Sequence, residues 1–313
     1  MKKTMVSLGA ALAISVAALA GCGNGAEETT AAATAAATEA AETEAGGGET
    51  TAGATEGAES AKAESAAEET TAAAEGEYQY VTPAEAVAAA ADGSAHVVDV
   101  REWSAYVEGR VADSSWCPIF PLDDDSLVEP MAAYAEANLS DGKDIYLICV
   151  SGQKGAQKAT GVLEDAGIDP SLIYTVEGGA NALGDEGDLT TNRSEEAIEW
   201  QYVAAADALA ALGTDEVQFL DVRDDETYAA GHLEGSLQVS LKDFEDPAAQ
   251  TEMYTLAVEQ LDASKPVYIL CYSGNNCAKT AISVMKDAGF DVSSLFIIEN
   301  GAKDADIQAA FVQ

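Results

Sequence analysis

Two seven-residue stretches carry the residues best suited to covalent chemistry. "CVSGQKG" spans Cys149–Gly155 and "CYSGNNC" spans Cys271–Cys277. Each begins where an apolar run ends, "IYLIC" in the first case and "VYILC" in the second, and each leads into a helical pattern. At such a strand-to-helix junction several backbone N–H groups turn inward and the helix dipole adds partial positive charge. A cysteine at the head of that loop is favoured as thiolate, the nucleophilic form. Gly152 and Gly274, three residues on, allow the backbone to curl round the sulfur. Other chemistries fit less well. A thiol phosphatase needs arginine six residues after the cysteine to clamp phosphate, and Gly155 and Cys277 stand there. A metal site needs about four suitable ligands. The chain has two histidines, His96 and His232, and five scattered cysteines, so no metal and no cofactor is expected.

The elements that must position these loops occur twice. "YQYV" at Tyr78–Val81 returns as "WQYV" at Trp200–Val203, and "DVR" at Asp99–Arg101 returns at Asp221–Arg223. Tyr106 and Gly109 return as Tyr228 and Gly231, and "EGGA" at Glu177–Ala180 returns as "ENGA" at Glu299–Ala302. The offset is 122 residues throughout, from Asp99 to Asp221 and from Cys149 to Cys271 alike. No gap is needed, so this is a duplicated domain and not a short-period solenoid. The units run over 78–187 and 199–313. The polar stretch "GDEGDLTTNRSEE" supplies the connector, taken as 188–198.

Short apolar strands are predicted at 95–100, 144–150 and 172–177, and again at 217–222, 266–272 and 295–300. Helices are predicted at 82–91 and 157–167, and at 204–212 and 278–289, the later helix of each unit closing on glycine. This alternation predicts an α/β fold in each unit, a parallel sheet covered by helices on both faces. Open sheets of this kind place their sites at the carboxyl ends of the strands, where both cysteines fall.

Each unit resembles a rhodanese domain, and the pair resembles a tandem rhodanese sulfurtransferase. The motifs that carry the likeness are "DVRDDETYAAGHLEGSLQV" (Asp221–Val239) with "CYSGNNCAKTA" (Cys271–Ala281), and "DVREWSAYVEGRVADSSWCPI" (Asp99–Ile119) with "CVSGQKGAQKA" (Cys149–Ala159). The resemblance implies sulfur transfer. The thiolate takes sulfane sulfur from a donor such as thiosulfate, becomes a persulfide, and yields the sulfur to a thiophilic acceptor such as cyanide or the thiol of another protein. It implies Cys149 and Cys271 as the sulfur carriers. Ser151, Gly152, Gln153, Lys154 and Gly155, and Ser273, Gly274, Asn275, Asn276 and Cys277, would line the site, mainly through backbone N–H groups. The competing reading is a non-catalytic rhodanese module that binds a partner or senses redox state.

The units differ in ways that bear on chemistry. Lys154 matches the basic residue many such loops carry, whereas the second unit has Asn276. Gly178 becomes Asn300, a change expected to alter the turn beside the site. Cys277 has three readings: a small residue at the helix start, a resolving thiol for Cys271, or half of a static disulfide. Cys117 reads as a buried core thiol and His232 as structural. The pairs Asp99/Arg101 and Asp221/Arg223 read as ion pairs that tie strand ends, with help in holding an anionic donor as the sharper alternative. Lys154 and Lys158 are expected to attract such a donor in the first unit. Lys279 is the comparable cation of the second, so the second unit is expected to favour neutral or persulfide-type donors.

Fifty-five acidic against 15 basic residues leave a formal charge of −40, which opposes binding to nucleic acid or anionic membrane surfaces. Lys2 and Lys3, an apolar run and "LAGC" (Leu19–Cys22) read as an export signal ending in a bacterial lipobox. The first 22 residues would be the signal, with lipid on Cys22 and the protein held on the extracytoplasmic face of the cell membrane. Residues 23–77 are almost entirely Ala, Glu, Thr and Gly, the composition of a disordered linker. Its r.m.s. span as a flexible chain is about 40 Å.

Overall fold

The alternation of strand residues between two faces organises each unit, as a computed structural model describes for residues 78–313. The expected export signal, its lipobox cysteine Cys22 and the expected linker lie outside these residues. In the first unit β1 (Gln79–Val81), α1 (Pro83–Asp92), β2 (His96–Asp99), α2 (Trp103–Val107) and β3 (Ser115–Trp116) come first. Then follow α3 (Val128–Asn138), β4 (Ile145–Ile148), α4 (Lys154–Asp165), β5 (Ile173–Val176) and α5 (Gly179–Glu186). The strands form one sheet in the order β1-β5-β4-β2-β3, parallel throughout, with β4 at the centre.

The second unit repeats this. It comprises β6 (Gln201–Val203), α6 (Ala205–Ala211), β7 (Gln218–Asp221), α7 (Asp225–Ala230), β8 (Leu237–Gln238) and α8 (Pro247–Gln260). β9 (Val267–Leu270), α9 (Asn276–Asp287), β10 (Leu295–Ile298) and α10 (Ala305–Ala309) complete it. Its sheet is parallel in the order β6-β10-β9-β7-β8.

Because successive side chains point to opposite faces, each sheet builds two cores. Val98 and Leu147 pack with Met131 and Ala135 of α3 and Ala159 and Leu163 of α4. Their neighbours Val97 and Ile148 pack on the other face with Ala86 and Ala89 of α1 and Leu183 of α5. Strands buried on both faces read as continuous apolar runs, which is why "HVV" and "IYLI" stand out in the sequence. α1 opens with a capping box, Thr82 Oγ1 accepting from Glu85 N–H and Glu85 from Thr82 N–H. α4 and α9 begin at Lys154 and Asn276, three and two residues earlier than their periodicity predicts, because the loop glycines turn the chain straight into the helix.

The connector joins the units through a buried polar network. Arg193, fully buried, donates to Gln250 Oε1 (2.8 Å), Ser283 Oγ (3.1 Å) and Asp287 Oδ2 (2.6 Å) of the second unit. Its guanidinium also lies over the rings of Trp103 and Tyr106 of the first. Glu196 pairs with Arg110 of the first unit and accepts from Ser283 Oγ (2.8 Å) and Lys286 Nζ (2.9 Å) of the second. Trp103 stacks on Tyr254 at 4.2 Å and donates to Thr251 Oγ1 at 3.1 Å. The strand bridge Arg110–Thr190, made by the connector, has its counterpart in His232–Val312, made by the end of the chain. Among the described residues no helix is long and apolar enough to cross a membrane.

Candidate active site

β4 and β9 end one residue before Cys149 and Cys271, so both thiols sit at the carboxyl end of a central strand, 2% exposed. In each unit the loop turns at a glycine in the left-handed region, Gly152 (φ 66°) and Gly274 (φ 67°), and then enters its helix. The sulfurs accept backbone hydrogen bonds, but unequally. Cys271 Sγ accepts from Gly274 N–H (3.0 Å) and Asn275 N–H (3.3 Å), and Cys149 Sγ from Gln153 N–H (3.3 Å). Ser151, Gln153 and Lys154, and Ser273, Asn275 and Asn276, are exposed on the loops, whereas Gly152 and Gly155 are buried.

A second glycine holds each loop from beneath. Gly179 has φ 58°, and a Cβ built there would lie 2.2 Å from Cys149 O and 2.6 Å from Gly152 N. At Gly301 the distances to Cys271 O and Gly274 N are 2.3 and 2.8 Å. The next residue seals the contact, Ala180 N–H and Ala302 N–H each donating to the cysteine carbonyl at 2.8 Å. Sequence reasoning did not assign Gly179 and Gly301 to the site; their recurrence in "GGA" and "NGA" was the available signal. The turn before them does not change between units. Gly178 and Asn300 share nearly one conformation (φ 68°, ψ −6° and φ 59°, ψ −6°), a region Asn tolerates. The expected alteration is thus absent.

The supporting pairs are strand-end clamps. Arg101 Nε and Nη2 grip Asp99 at 2.6–3.0 Å, and Nη2 also donates to Gly109 O at 2.7 Å. Arg223 repeats this with Asp221 and Gly231 O. Both guanidiniums are buried. Lys158 does not serve the loop as expected. Its ammonium is held by Leu122 O, Asp124 O and Asp125 Oδ1 at 2.8–3.1 Å. Lys154 stays exposed, and Lys279 Nζ lies 5.4 Å from the Trp200 ring centroid.

The surroundings of the two loops differ where the repeats differ. In the first unit Phe120 covers the helix start, its ring atoms 2.6 Å from a Cβ built on Gly155. In the second, Lys242 stands at the position of Phe120 and Cys277 at that of Gly155. Lys242 Nζ lies 3.2 Å from Asp224 Oδ2. Tyr272, directly after Cys271, donates its hydroxyl to Asp224 Oδ2 (2.6 Å) and accepts from Asp224 N–H (2.8 Å). Burial, then the hydrogen bond to Asp224, pushes the Tyr272 hydroxyl up to about 12. The Tyr272 hydroxyl, then the Thr227 N–H, holds the Asp224 carboxyl well below the usual carboxylate range.

Cys277, at the second position of α9, is half-buried and is a free thiol, as is Cys271. Cys117 is buried, and desolvation pushes its thiol up to about 12. His232 stacks on Tyr228 at 4.1 Å, with Nδ1 3.1 Å from Tyr228 O. A cavity of about 670 Å³ is lined by Arg223, Tyr272, Ala302, Lys303 and Phe311. Phe311 and Ala302 pack with the layer under α6 and α10, whereas Cys271 packs with α8 and α9, so this cavity is not the pocket of the sulfur.

The sequence model described as "Rhodanese-like domain" matches residues 82–186 and 204–304, once in each sheet-and-loop unit. The chain belongs to the rhodanese-like domain family. Among solved structures, the thiosulfate sulfurtransferase of Pseudomonas aeruginosa is similar at 18% identity and TM-score 0.34, over 71% of this chain and 41% of that one. The 3-mercaptopyruvate sulfotransferase of Escherichia coli is similar at 17% identity and TM-score 0.30, over 72% and 98%. A single rhodanese-like unit also resembles the As-Sb reductase of Leishmania major, at 19% identity and TM-score 0.31, over 37% of this chain and 87% of the other. This chain therefore spans under half the length of the Pseudomonas protein.

Proposed function

We propose that the protein is a sulfurtransferase that carries sulfane sulfur on Cys149 and Cys271. The observation that carries this reading is the pair of N–H groups, of Gly274 and Asn275, aimed at Cys271 Sγ from a loop that opens a helix. Donors so placed stabilise an anionic sulfur, whether thiolate or the terminal atom of a persulfide. The Cys271 thiolate attacks the outer sulfur of thiosulfate. The new S–S bond forms as the old one breaks, and its electron pair leaves with sulfite. A thiophilic acceptor then attacks the terminal sulfur, and that S–S pair returns to Cys271. Cys149 would react in the same way with a sparser cradle. Through the lipobox cysteine, Cys22, the protein would work on the extracytoplasmic face of the cell membrane, with a small sulfur compound as donor and a protein thiol as one acceptor. Gly152, Gly274, Gly179 and Gly301 are positioning residues that shape the loops.

Mass spectrometry of the reduced protein after thiosulfate treatment tests the reading. One added sulfur on Cys149 or Cys271 is expected, lost again on addition of cyanide. No added sulfur on either cysteine, with both thiols reduced, overturns it.

A further inference from the structure

The second loop holds a sulfur nucleophile beside its carrier, and the first does not. Cys277 stands 122 residues after Gly155, as Cys271 does after Cys149. The two loops share one backbone course. Gly152 and Gly274 have φ 66° and 67°, Gln153 and Asn275 have φ −131° and −138°, and the next residue opens the helix in each case. A Cβ built at Gly155 falls 2.9 Å from Cys149 Cβ. Disulfide-bonded cysteines hold their Cβ atoms about 3.5–4.5 Å apart. In the first unit nothing larger than hydrogen fits, since Phe120 crowds the same point at 2.6 Å. The second unit has Lys242 in place of that ring, and its ammonium is turned to Asp224. An opening of about 0.6 Å from the spacing in the first unit brings a Cβ at the position of Cys277 into the disulfide range.

We propose that Cys277 is a resolving thiol, which attacks Cys271 Sγ of the persulfide and releases the carried sulfur as hydrosulfide. The inference rests on the sulfur-transfer reading above. The atoms balance. A bond forms between Cys277 Sγ and Cys271 Sγ, the persulfide S–S bond breaks, and the outer sulfur leaves with its electron pair and the Cys277 proton as HS⁻. Geometry selects the inner sulfur, because the shared loop course sets Cys277 against Cys271 itself, whose Sγ the Gly274 and Asn275 N–H groups hold in place. Burial, then the charge of Cys271, pushes the Cys277 thiol up to about 11, so at neutral pH it is protonated, and the outer persulfide sulfur takes that proton as Cys277 becomes the attacking thiolate. The resulting Cys271–Cys277 disulfide is reopened by a dithiol reductant. The two units then differ in outlet: Cys149 depends on an external acceptor, whereas Cys271 has a second route that discharges its sulfur as hydrosulfide and passes oxidising equivalents to a dithiol.

The full-length protein, reduced and freed of reductant, is treated with thiosulfate without oxygen or any other thiol. Hydrosulfide is measured, and Cys149, Cys271 and Cys277 are followed by peptide mass spectrometry. In the native protein Cys149 keeps its added sulfur, while Cys271 appears linked to Cys277 with one hydrosulfide released per link. A thiol tethered this closely acts at an effective concentration in the millimolar range or above, so in the Cys277→Ser protein the Cys271 persulfide should survive at least about 10-fold longer. The inference is overturned if the native Cys271 persulfide lasts as long as in Cys277→Ser and no linked peptide forms. It is overturned equally if the link forms at the same rate without thiosulfate. If neither Cys149 nor Cys271 gains sulfur in Cys277→Ser, the sulfur-transfer reading falls and this inference falls with it.

Discussion

Replacing Gly179 by alanine tests whether the late turn shapes the loop around Cys149. The added methyl would lie 2.2 Å from Cys149 O, 2.6 Å from Gly152 N and 3.0 Å from Ser151 N, all backbone atoms of the loop itself. None is the end of a flexible side chain, so the loop must move by about 1 Å to restore van der Waals contact. A left-handed alanine (φ 58° here) costs about 1 kcal/mol, and forcing a methyl into packed structure costs a further 1–3 kcal/mol or so. We expect Gly179→Ala to lower stability by about 2–4 kcal/mol. Gly161→Ala is the control. Gly161 lies within α4, and a Cβ there meets nothing within 4 Å, so alanine should add about 0.5–1 kcal/mol by restricting the unfolded chain. Urea denaturation reads both effects. Function is read by the rate of sulfur loading on each cysteine from thiosulfate. A misplacement of about 1 Å costs roughly 100-fold in rate, so Cys149 should slow by that order while Cys271, in the same molecule, keeps its native rate. If Gly179→Ala denatures at the native urea concentration and loads Cys149 at the native rate, the reasoning is wrong.

Five variants carry the remaining expectations. Glu196→Gln removes the carboxylate that faces Arg110 and Lys286 in the buried connector network, and should cost about 3 kcal/mol in urea denaturation by leaving buried cations uncompensated. Lys158→Met should leave the thiosulfate KM within about 2-fold of native, since its ammonium is held by the 122–125 loop. Lys154→Met, which removes an exposed charge beside the site, should raise that KM more, the difference shrinking as salt is added. Cys117→Val, which installs the residue found at the matching position 239, tests a pH effect. The folded-state Cys117 thiol stands at about 12 against an ordinary value of 9.0, so the folded protein keeps a proton that the unfolded chain loses. Stability from this group is therefore intact below pH 9 and falls by up to about 1.4 kcal/mol per pH unit above it. Denaturation at pH 8 and pH 10 should show a smaller alkaline loss in Cys117→Val. Tyr272→Phe, which deletes the hydroxyl shared with Asp224, should lower stability by about 1 kcal/mol and slow loading at Cys271 alone, measured by the same two assays.

Much of the fold was legible because its physics is local or repeated. β2, β4 and β5 and their counterparts are buried on both faces, so they appear as apolar runs that no solvated segment shares. The loops were legible because cysteine, glycine and a following helix pattern stand in fixed order, twice. α3 and α8 were not predicted. α3 turns little more than Met131 and Ala135 inward, and α8 buries a polar residue, Gln250, alongside Met253 and Leu256. Gln250 is buried because Arg193 of the connector needs an acceptor there, a reason that lies 57 residues away in the chain. The three-residue edge strands β1 and β6 are too short for any periodicity to show.

By itself, then, the sequence determined that the protein is a duplicated α/β chain with a cysteine at the head of each loop, since burial pattern, turn chemistry and repeat spacing act over a few residues or recur unchanged. The tertiary structure alone decided which groups meet those cysteines. Gly179 under Cys149, Phe120 over Gly155, Lys158 drawn off to Asp125, and Arg193 and Glu196 locking the units all depend on contacts between distant segments. Their side chains carry no periodic signal. What each one does is set by the shape of the space that the rest of the chain leaves for it.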